Sequence, residues 1–222
     1  RKNAYFYNPG FRQGRTIFED FEFRTGGMRS AREAGGPDSG SICYLTPSQM
    51  TVWGEVMHIT ERMDLLKEAF EKDILIIEDD YNSEFRYYNR PTPSLQGLAG
   101  GRGVVYLGTF SRLLLPSIRM SFMVLPPELL PVYRERSRYY NQTSSKTEQI
   151  ALCQFIRDGH LESQIRKARK LYTAKAKKLC EDIGRIFGDR AVPHLGEAGF
   201  LVLAEIRTEL TSEEIARKAA HA

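Results

Sequence analysis

Ile74-Leu75-Ile76-Ile77-Glu78-Asp79-Asp80-Tyr81 runs from apolar residues straight into acids and a tyrosine. An unbroken, largely β-branched run suits a strand buried on both faces, and the acids mark its end. Just upstream, Met63, Leu66 and Phe70 repeat at helical spacing with Glu61, Arg62, Lys67 and Glu68 between them. Residues 60–72 therefore read as an amphipathic helix. Before that helix, Ile42-Cys43-Tyr44-Leu45 forms the apolar centre of a strand over 41–47 that Thr46-Pro47 stops. Strand, helix and strand make a βαβ unit.

Working outward, 104–107 and 120–125 read as two more strands, the second closed by Pro126-Pro127. Strands buried on both faces and separated by helical stretches predict an α/β fold, a mostly parallel sheet with helices on both faces. Ligands of such sheets bind at the carboxyl ends of the strands, so the polar residues that follow each strand are the place to look for a site. Past Pro127 the chain turns helical over 129–140. The pattern Ser145-Lys146-Thr147-Glu148 is a capping box for a helix that Gly159 can end. In the long helix after it, Leu161, Ile165, Ala168, Tyr172, Leu179 and Ile183 hold one face, and lysines and arginines crowd the other. An alternating strand over 200–206 and a short helix capped by Thr211-Ser212-Glu213-Glu214 follow. Residues 1–170 read as part of a large domain that includes the start of the long helix, and 171–222 as the beginning of a small C-terminal α+β domain. Gly35 to Gly40 is a turn-rich connection.

Composition narrows the function classes. With 41% hydrophobic and 27% charged residues the chain is ordinary globular protein. The 32 Lys+Arg against 28 Asp+Glu are spread along helices, so charge alone gives no case for nucleic-acid binding. No apolar run reaches the roughly 18 residues that a membrane span needs, and Arg1-Lys2-Asn3 does not lead into a signal-peptide core. Cys43, Cys153 and Cys180 stand far apart within apolar patterns and read as buried thiols of a reducing compartment, the cytoplasm.

Three polar clusters fall at strand ends: Thr46-Pro47-Ser48-Gln49, Glu78-Asp79-Asp80-Tyr81, and Gly108-Thr109-Phe110-Ser111-Arg112 with Arg119 beyond it. Small hydroxyls, a glycine and guanidinium groups suit a phosphate cradle. They equally suit a Ser/Thr turn with solvated arginines. A single stretch of acids without histidines makes no metal site. A carboxylate and a tyrosine opposite a phosphate cradle suit a ring with a basic nitrogen and a phenolic oxygen, which describes pyridoxal phosphate.

The runs at 76–87 (Ile-Ile-Glu-Asp-Asp-Tyr-Asn-Ser-Glu-Phe-Arg-Tyr) and 105–120 (Val-Tyr-Leu-Gly-Thr-Phe-Ser-Arg-Leu-Leu-Leu-Pro-Ser-Ile-Arg-Met) closely resemble the fold-type-I aminotransferase domain of MocR/GabR-type regulators, which belong to the GntR family. Asn8-Pro9-Gly10-Phe11, Thr46-Pro47-Ser48, Asn141-Gln142-Thr143 and Glu148-Gln149 extend the resemblance over most of the chain. It implies a cytoplasmic homodimer that binds pyridoxal 5'-phosphate, with Asp79 facing the pyridine nitrogen, Tyr81 the ring hydroxyl, and Thr109, Ser111 and Arg119 the phosphate. The implied effector is a small amine, an amino acid or a vitamin B6 species. DNA would be read only by a segment outside this chain.

The sequence also departs from that pattern. At the family's catalytic Schiff-base lysine stands Arg112, and a guanidinium keeps its proton where a lysine amine can lose it and act as nucleophile and base. The resemblance thus implies a site crippled for transamination, in which Arg112 can pair with the cofactor phosphate or a bound carboxylate. An active aminotransferase with displaced chemistry and a cofactor-free dimerisation scaffold are the rival expectations. At 49–54, Gln-Met-Thr-Val-Trp-Gly replaces the family's His-Gln-aromatic-Pro stretch, leaving Trp53 as either a pocket wall or a packing residue. The family's Ser-Gly-x-Gln phosphate turn, its ring-stacking residue, its winged-helix DNA reader and its carboxylate-binding arginine are expected to fall outside these 222 residues.

Overall fold

A computed structural model describes residues 2–7, 11–28, 36–85 and 92–220. Asn8-Pro9-Gly10, Gly35 and the Arg86-Tyr87 end of the first quoted run lie outside the described residues. The main sheet runs β2 (Arg24–Met28), β1 (Asn3–Tyr7), β3 (Ile42–Leu45), β4 (Leu75–Asp80), β5 (Val104–Thr109) and β6 (Ser121–Val124). Neighbours are parallel except β6, which returns antiparallel to β5 with Gly108 opposite Phe122. The expected βαβ unit is present as β3, α2 (Ile59–Glu71) and β4, with Ile42 paired to Leu75 and Leu45 to Glu78.

Side chains alternate across a strand, and successive strand residues here enter two different cores. Cys43, Leu45 and Ile76 pack with Leu65, Leu66 and Ala69 of α2 and with Leu95 of α3 (Leu95–Leu98). On the other face Ala4, Phe6 and Tyr44 pack with Ile42, Ile77 and Leu107, closed by Phe18 of α1 (Arg12–Asp20) and by Phe23. Helices therefore cover both faces, as the unbroken apolar strands require.

The reading of α2 needs correction. Met63 and Phe70 are 51% and 54% exposed, whereas Arg62 is 1% exposed. The buried stripe is Arg62, Leu65, Leu66 and Ala69, one step round the helix from the expected one. Arg62 enters the core because everything it needs is there. Its Nη1 meets Glu78 Oε1 at 3.4 Å and donates to Pro93 O at 3.0 Å, Nε donates to Met57 O at 3.0 Å and Nη2 to Pro47 O at 3.1 Å. Glu78, fully buried, also accepts from Leu95 N at 2.9 Å and Gln96 N at 3.0 Å, the first turn of α3. Burial lifts the Glu78 carboxyl above its ordinary range, against the pull of those amides and of Arg62.

Beyond β6 the helical region 129–140 is broken: α4 covers Leu130–Arg136, between 3-10 turns at Pro127–Leu129 and Ser137–Tyr139. α5 (Lys146–Arg157) starts at Ser145, whose Oγ accepts from Glu148 N at 3.4 Å. α6 (His160–Phe187) buries Ala176, whereas Leu179 is 48% exposed. A second sheet of β7 (Ala191–Leu195) and β8 (Val202–Ile206) is antiparallel, and α7 (Ser212–Ala220) follows. The sequence reading had not anticipated β1, α1, β2 or β7. Of the cysteines, Cys43 is buried, with its thiol pushed up to about 12 by desolvation, but Cys153 is exposed and Cys180 half-buried. No helix among the described residues is long and apolar enough to cross a membrane.

Candidate functional site

The carboxyl ends of β3, β4 and β5 open on one cavity of about 1060 Å³. All six residues singled out in the sequence line it: Asp79 and Tyr81 at the end of β4, Thr109 as the last residue of β5, Ser111 and Arg112 in the turn after it, and Arg119 before β6. Tyr172 of α6 and Phe200 before β8, which were not foreseen as site residues, also line it. They form an aromatic cluster with Phe85, at centroid distances of 4.2 Å for Phe85 to Phe200 and 4.8 Å for Tyr172 to Phe200. No local pattern marks either residue, since both reach the cavity only through the return of the C-terminal segment.

On the acidic side, alternation along β4 turns Glu78 and Asp80 into one core and Asp79 to the other face, beside Tyr44. The Tyr44 hydroxyl donates a short hydrogen bond to Asp79 Oδ2. The phenol ring is itself stacked on Phe6 at 5.4 Å and Phe11 at 6.3 Å. Burial raises the Asp79 carboxyl above its usual range; the Tyr44 hydrogen bond and the charge of Arg112 draw it down, and Asp80 pushes it up. Tyr81 is likewise raised by burial, with Arg112 acting in the opposite direction. Asp80 accepts from the Tyr106 hydroxyl at 2.7 Å and from Ser83 N at 3.1 Å, which fixes the chain as it leaves β4.

On the opposite side the turn after β5 is held by its own hydroxyls. Ser111 N donates to Thr109 Oγ1 at 3.2 Å, and Thr109 Oγ1 reaches Met120 O at 3.4 Å. Phe110 N donates to Met120 O at 3.0 Å, so the two ends of the 110–120 excursion are tied together. Arg119 sits in the left-handed region with φ 43 and ψ 35. That conformation is unusual for a residue with a long side chain and accompanies functional sites when the surroundings enforce it. Gly108 is favoured for a different reason: a Cβ there would stand 2.3 Å from the Phe122 ring, which would have to move aside.

Arg112 bridges the two sides. Its guanidinium lies 4.7 Å from the Tyr81 ring centroid, and Nη1 donates to Asn82 Oδ1 at 2.9 Å. Asn82 Nδ2 donates in turn to Gln49 Oε1 through a short hydrogen bond. Gln49 abuts Gly199, where a Cβ would come within 2.7 Å of its Oε1. Nearby, Glu197 N donates to Gly54 O at 3.1 Å and Gly199 N to Phe85 O at 3.0 Å, which seats the 196–199 loop on the rim. Trp53 is a packing residue of this seam. It is 50% exposed, lies outside the cavity lining and meets His194 of β7 edge-on at 5.5 Å. No group of three or more His, Cys, Asp or Glu among the described residues is placed to hold a metal.

Solved structures share this arrangement of strands and helices. The chain superposes on kynurenine aminotransferase of Pyrococcus horikoshii with a TM-score of 0.82 at 21% identity, covering 99% of this chain and 58% of that one. The α-aminoadipate aminotransferase LysN of Thermus thermophilus, solved with N-(5'-phosphopyridoxyl)-L-leucine, gives 0.81 at 23% identity over 99% of this chain and 59% of that one. The fold is that of the fold-type-I aminotransferases.

In sequence, the chain is similar to transcriptional regulators. The chain is 39% identical to the HTH-type transcriptional regulator YhdI of Bacillus subtilis over 97% of its own length and 47% of that protein's. It is 33% identical to the probable rhizopine catabolism regulatory protein MocR of Rhizobium meliloti, over 80% of this chain and 36% of that protein. No model of a known protein family matches. The chain belongs with the aminotransferase-like domains of MocR-type regulators, and it spans about half the length of YhdI.

Proposed function

We propose that this chain is the effector-sensing domain of a MocR/GabR-type transcription regulator, one that holds pyridoxal phosphate without a covalent link and does not transaminate. The observation that carries the reading is Arg112, a guanidinium inside a cavity otherwise furnished as such a cofactor needs. Asp79 is a half-buried carboxylate whose described hydrogen-bond partner is a phenol, and a pyridinium N–H would supply a cation for it. Tyr81 would meet the ring hydroxyl, and Thr109, Ser111 and Arg119 would take the phosphate. The cofactor, when bound, supplies an electron-withdrawing ring. The chain supplies orientation through Asp79 and the 108–119 turn, and Tyr172 and Phe200 restrict water on the open side. No lysine is among the described residues lining the cavity, and Arg112, protonated at neutral pH, offers neither a nucleophile nor a base.

On this reading residues 1–170 form the large unit and 171–222 open the smaller one. The protein works in the cytoplasm as a homodimer, a small amine, amino acid or B6 species is its effector, and DNA is read by a segment outside these residues. The HTH-type relatives support that organisation. The deciding experiment is an absorption titration of the intact protein with pyridoxal phosphate, followed by borohydride reduction and intact-mass measurement, beside Arg112→Lys. Saturable binding with no added mass in the natural protein, and one added cofactor mass in Arg112→Lys, is the expected result. Cofactor mass on a lysine of the natural protein would restore the aminotransferase reading, and no binding by either would leave a dimerisation scaffold.

A further inference from the structure

Arg112 is held in place by neutral groups. Its described contacts are the Asn82 carbonyl oxygen at 2.9 Å and the Tyr81 ring at 4.7 Å, and among the described residues it forms no ion pair. The nearest carboxylate influence is that of Asp79, which feels the guanidinium through space. Asn82 and Gln49 are 1% and 8% exposed, so their amides have little freedom. Because the Asn82 oxygen faces Arg112, its NH₂ must face the Gln49 oxygen, and Gln49 is in turn pressed against Gly199. This chain of amides holds the exposed guanidinium at the cavity wall with no described carboxylate in ion-pair contact with it. Among the described residues its remaining N–H groups have no acceptor, and they can meet an oxyanion in the fork geometry that carboxylates and phosphates share.

We infer that Arg112 is an anion-binding subsite of this cavity, taking a carboxylate or phosphate group of a small ligand, and that Asn82 and Gln49 are positioning residues that present it without neutralising it. The inference rests on the cavity being a small-molecule site, but not on its holding pyridoxal phosphate. An aspartate at 82 would pair with the guanidinium and compete with any incoming anion. The neutral amide holds the same geometry and leaves the competition out.

The test is calorimetric titration of the intact protein with succinate and with inorganic phosphate, each with and without saturating pyridoxal phosphate, on the natural protein, Arg112→Gln and Asn82→Asp. The natural protein should bind both anions, with affinity falling as salt is added. Arg112→Gln should weaken binding at least about tenfold, the loss expected for one charge-assisted contact. Asn82→Asp should weaken it comparably at neutral pH, with phosphate affinity recovering relative to the natural protein as the pH drops through the carboxylate range, a response that a merely structural residue would not give. If pyridoxal phosphate displaces both anions, the subsite reads the cofactor's phosphate; if succinate still binds, it reads the carboxylate of a second ligand. Arg112-dependent succinate binding in a protein that takes up no pyridoxal phosphate would leave the subsite standing and remove the cofactor reading. Should Asn82→Asp not fold, Arg112→Gln decides alone. Unchanged affinity in Arg112→Gln, or no anion binding by the natural protein, overturns the inference.

Discussion

Two arginines lie on opposite sides of the same strand end and do different work. Arg62 comes up from α2 beneath Glu78, is 1% exposed, and spends its donors on Met57, Pro47 and Pro93 carbonyls and on the Glu78 carboxylate. Arg112 lies over the other face of β4, lines the cavity and has one neutral amide and one ring for support. In the first region a charge is consumed in tying β4, α2 and the turns at 47 and 93 together. In the second a charge is held ready. One is part of the frame that sets where Asp79 and Tyr81 stand, and the other is part of what that frame presents.

The comparison breaks most visibly at Arg62. Arg62→Met leaves Glu78 buried against two backbone amides with its cation gone, and removing one partner of a buried ion pair costs about 3–5 kcal/mol. The midpoint of thermal unfolding should drop by roughly 10 °C, and adding Glu78→Gln should recover much of the loss. A full-size loss in the double variant would mean that the carbonyl contacts of Arg62, not the charge pair, hold this region. Gly108→Ala should come next, at about 1–3 kcal/mol for an overpacked contact. The new methyl collides with Phe122, which is 42% exposed and can swing outward, placing the cost at the lower end. Phe122→Leu in the same chain should return stability to near the starting value in urea unfolding.

How much of this was legible beforehand follows the same division. The end of β4 and the turn after β5 could be placed because an unbroken apolar run stops at a polar cluster, and strand ends are where α/β sheets bind ligands. Asp79, Thr109 and Arg112 needed nothing more than their neighbours in sequence. Arg62 could not be placed in that way. On α2 the apolar stripe Met63-Leu66-Phe70 and the observed stripe Arg62-Leu65-Leu66-Ala69 have similar periodicity, and only the buried carboxylate arriving from β4 decides between them. β1 and β2 escaped notice because Ala4 and Phe6 alternate with tyrosines and Gly26-Gly27 carries no apolar signal. Tyr172 and Phe200 are far apart in sequence, and their meeting at Phe85 is a property of the whole chain. Cys153 sat in an apolar pattern but came out exposed, since the stripe of α5 buries Leu152.

A pH dependence sharpens the comparison at intermediate size. Burial raises the folded Asp79 pKa above its ordinary value of 3.8. Its contribution to stability is therefore fully present below that value and is lost as the pH rises through the folded pKa. At neutral pH the ionised, desolvated Asp79 is a net cost to the fold. Asp79→Asn keeps an acceptor for the Tyr44 hydroxyl and removes the charge, so the variant should be more stable than the natural protein at pH 7, by about 1 kcal/mol. The gap should close as the pH falls toward 4. Thermal unfolding across that range checks it, and a gap that widens in acid would reverse the sign assigned here. On the proposed reading the same variant should also bind pyridoxal phosphate about tenfold or more weakly, since a charge-assisted bond from a ring nitrogen to Asp79 would be worth about 1.5–3 kcal/mol.

The smallest effect on stability should come from Arg112 itself. Arg112→Gln retains an amide N–H for the Asn82 oxygen and gives up the charge and the contact with the Tyr81 ring. Two small losses then act together: the cation–π contact is worth about 0.5–1 kcal/mol at a partly exposed site, and Asp79 and Tyr81 lose a nearby cation that had drawn both their pKa values down. Arg112 is itself exposed, so solvent screens the lost charge and keeps both losses small. The unfolding free energy should therefore stay within about 1 kcal/mol of the natural protein, several-fold less than the loss at Arg62, while anion binding falls sharply. An Arg112→Gln variant destabilised as strongly as Arg62→Met would place Arg112 in the frame with Arg62 and take away the physical basis for treating it as a group held for a ligand.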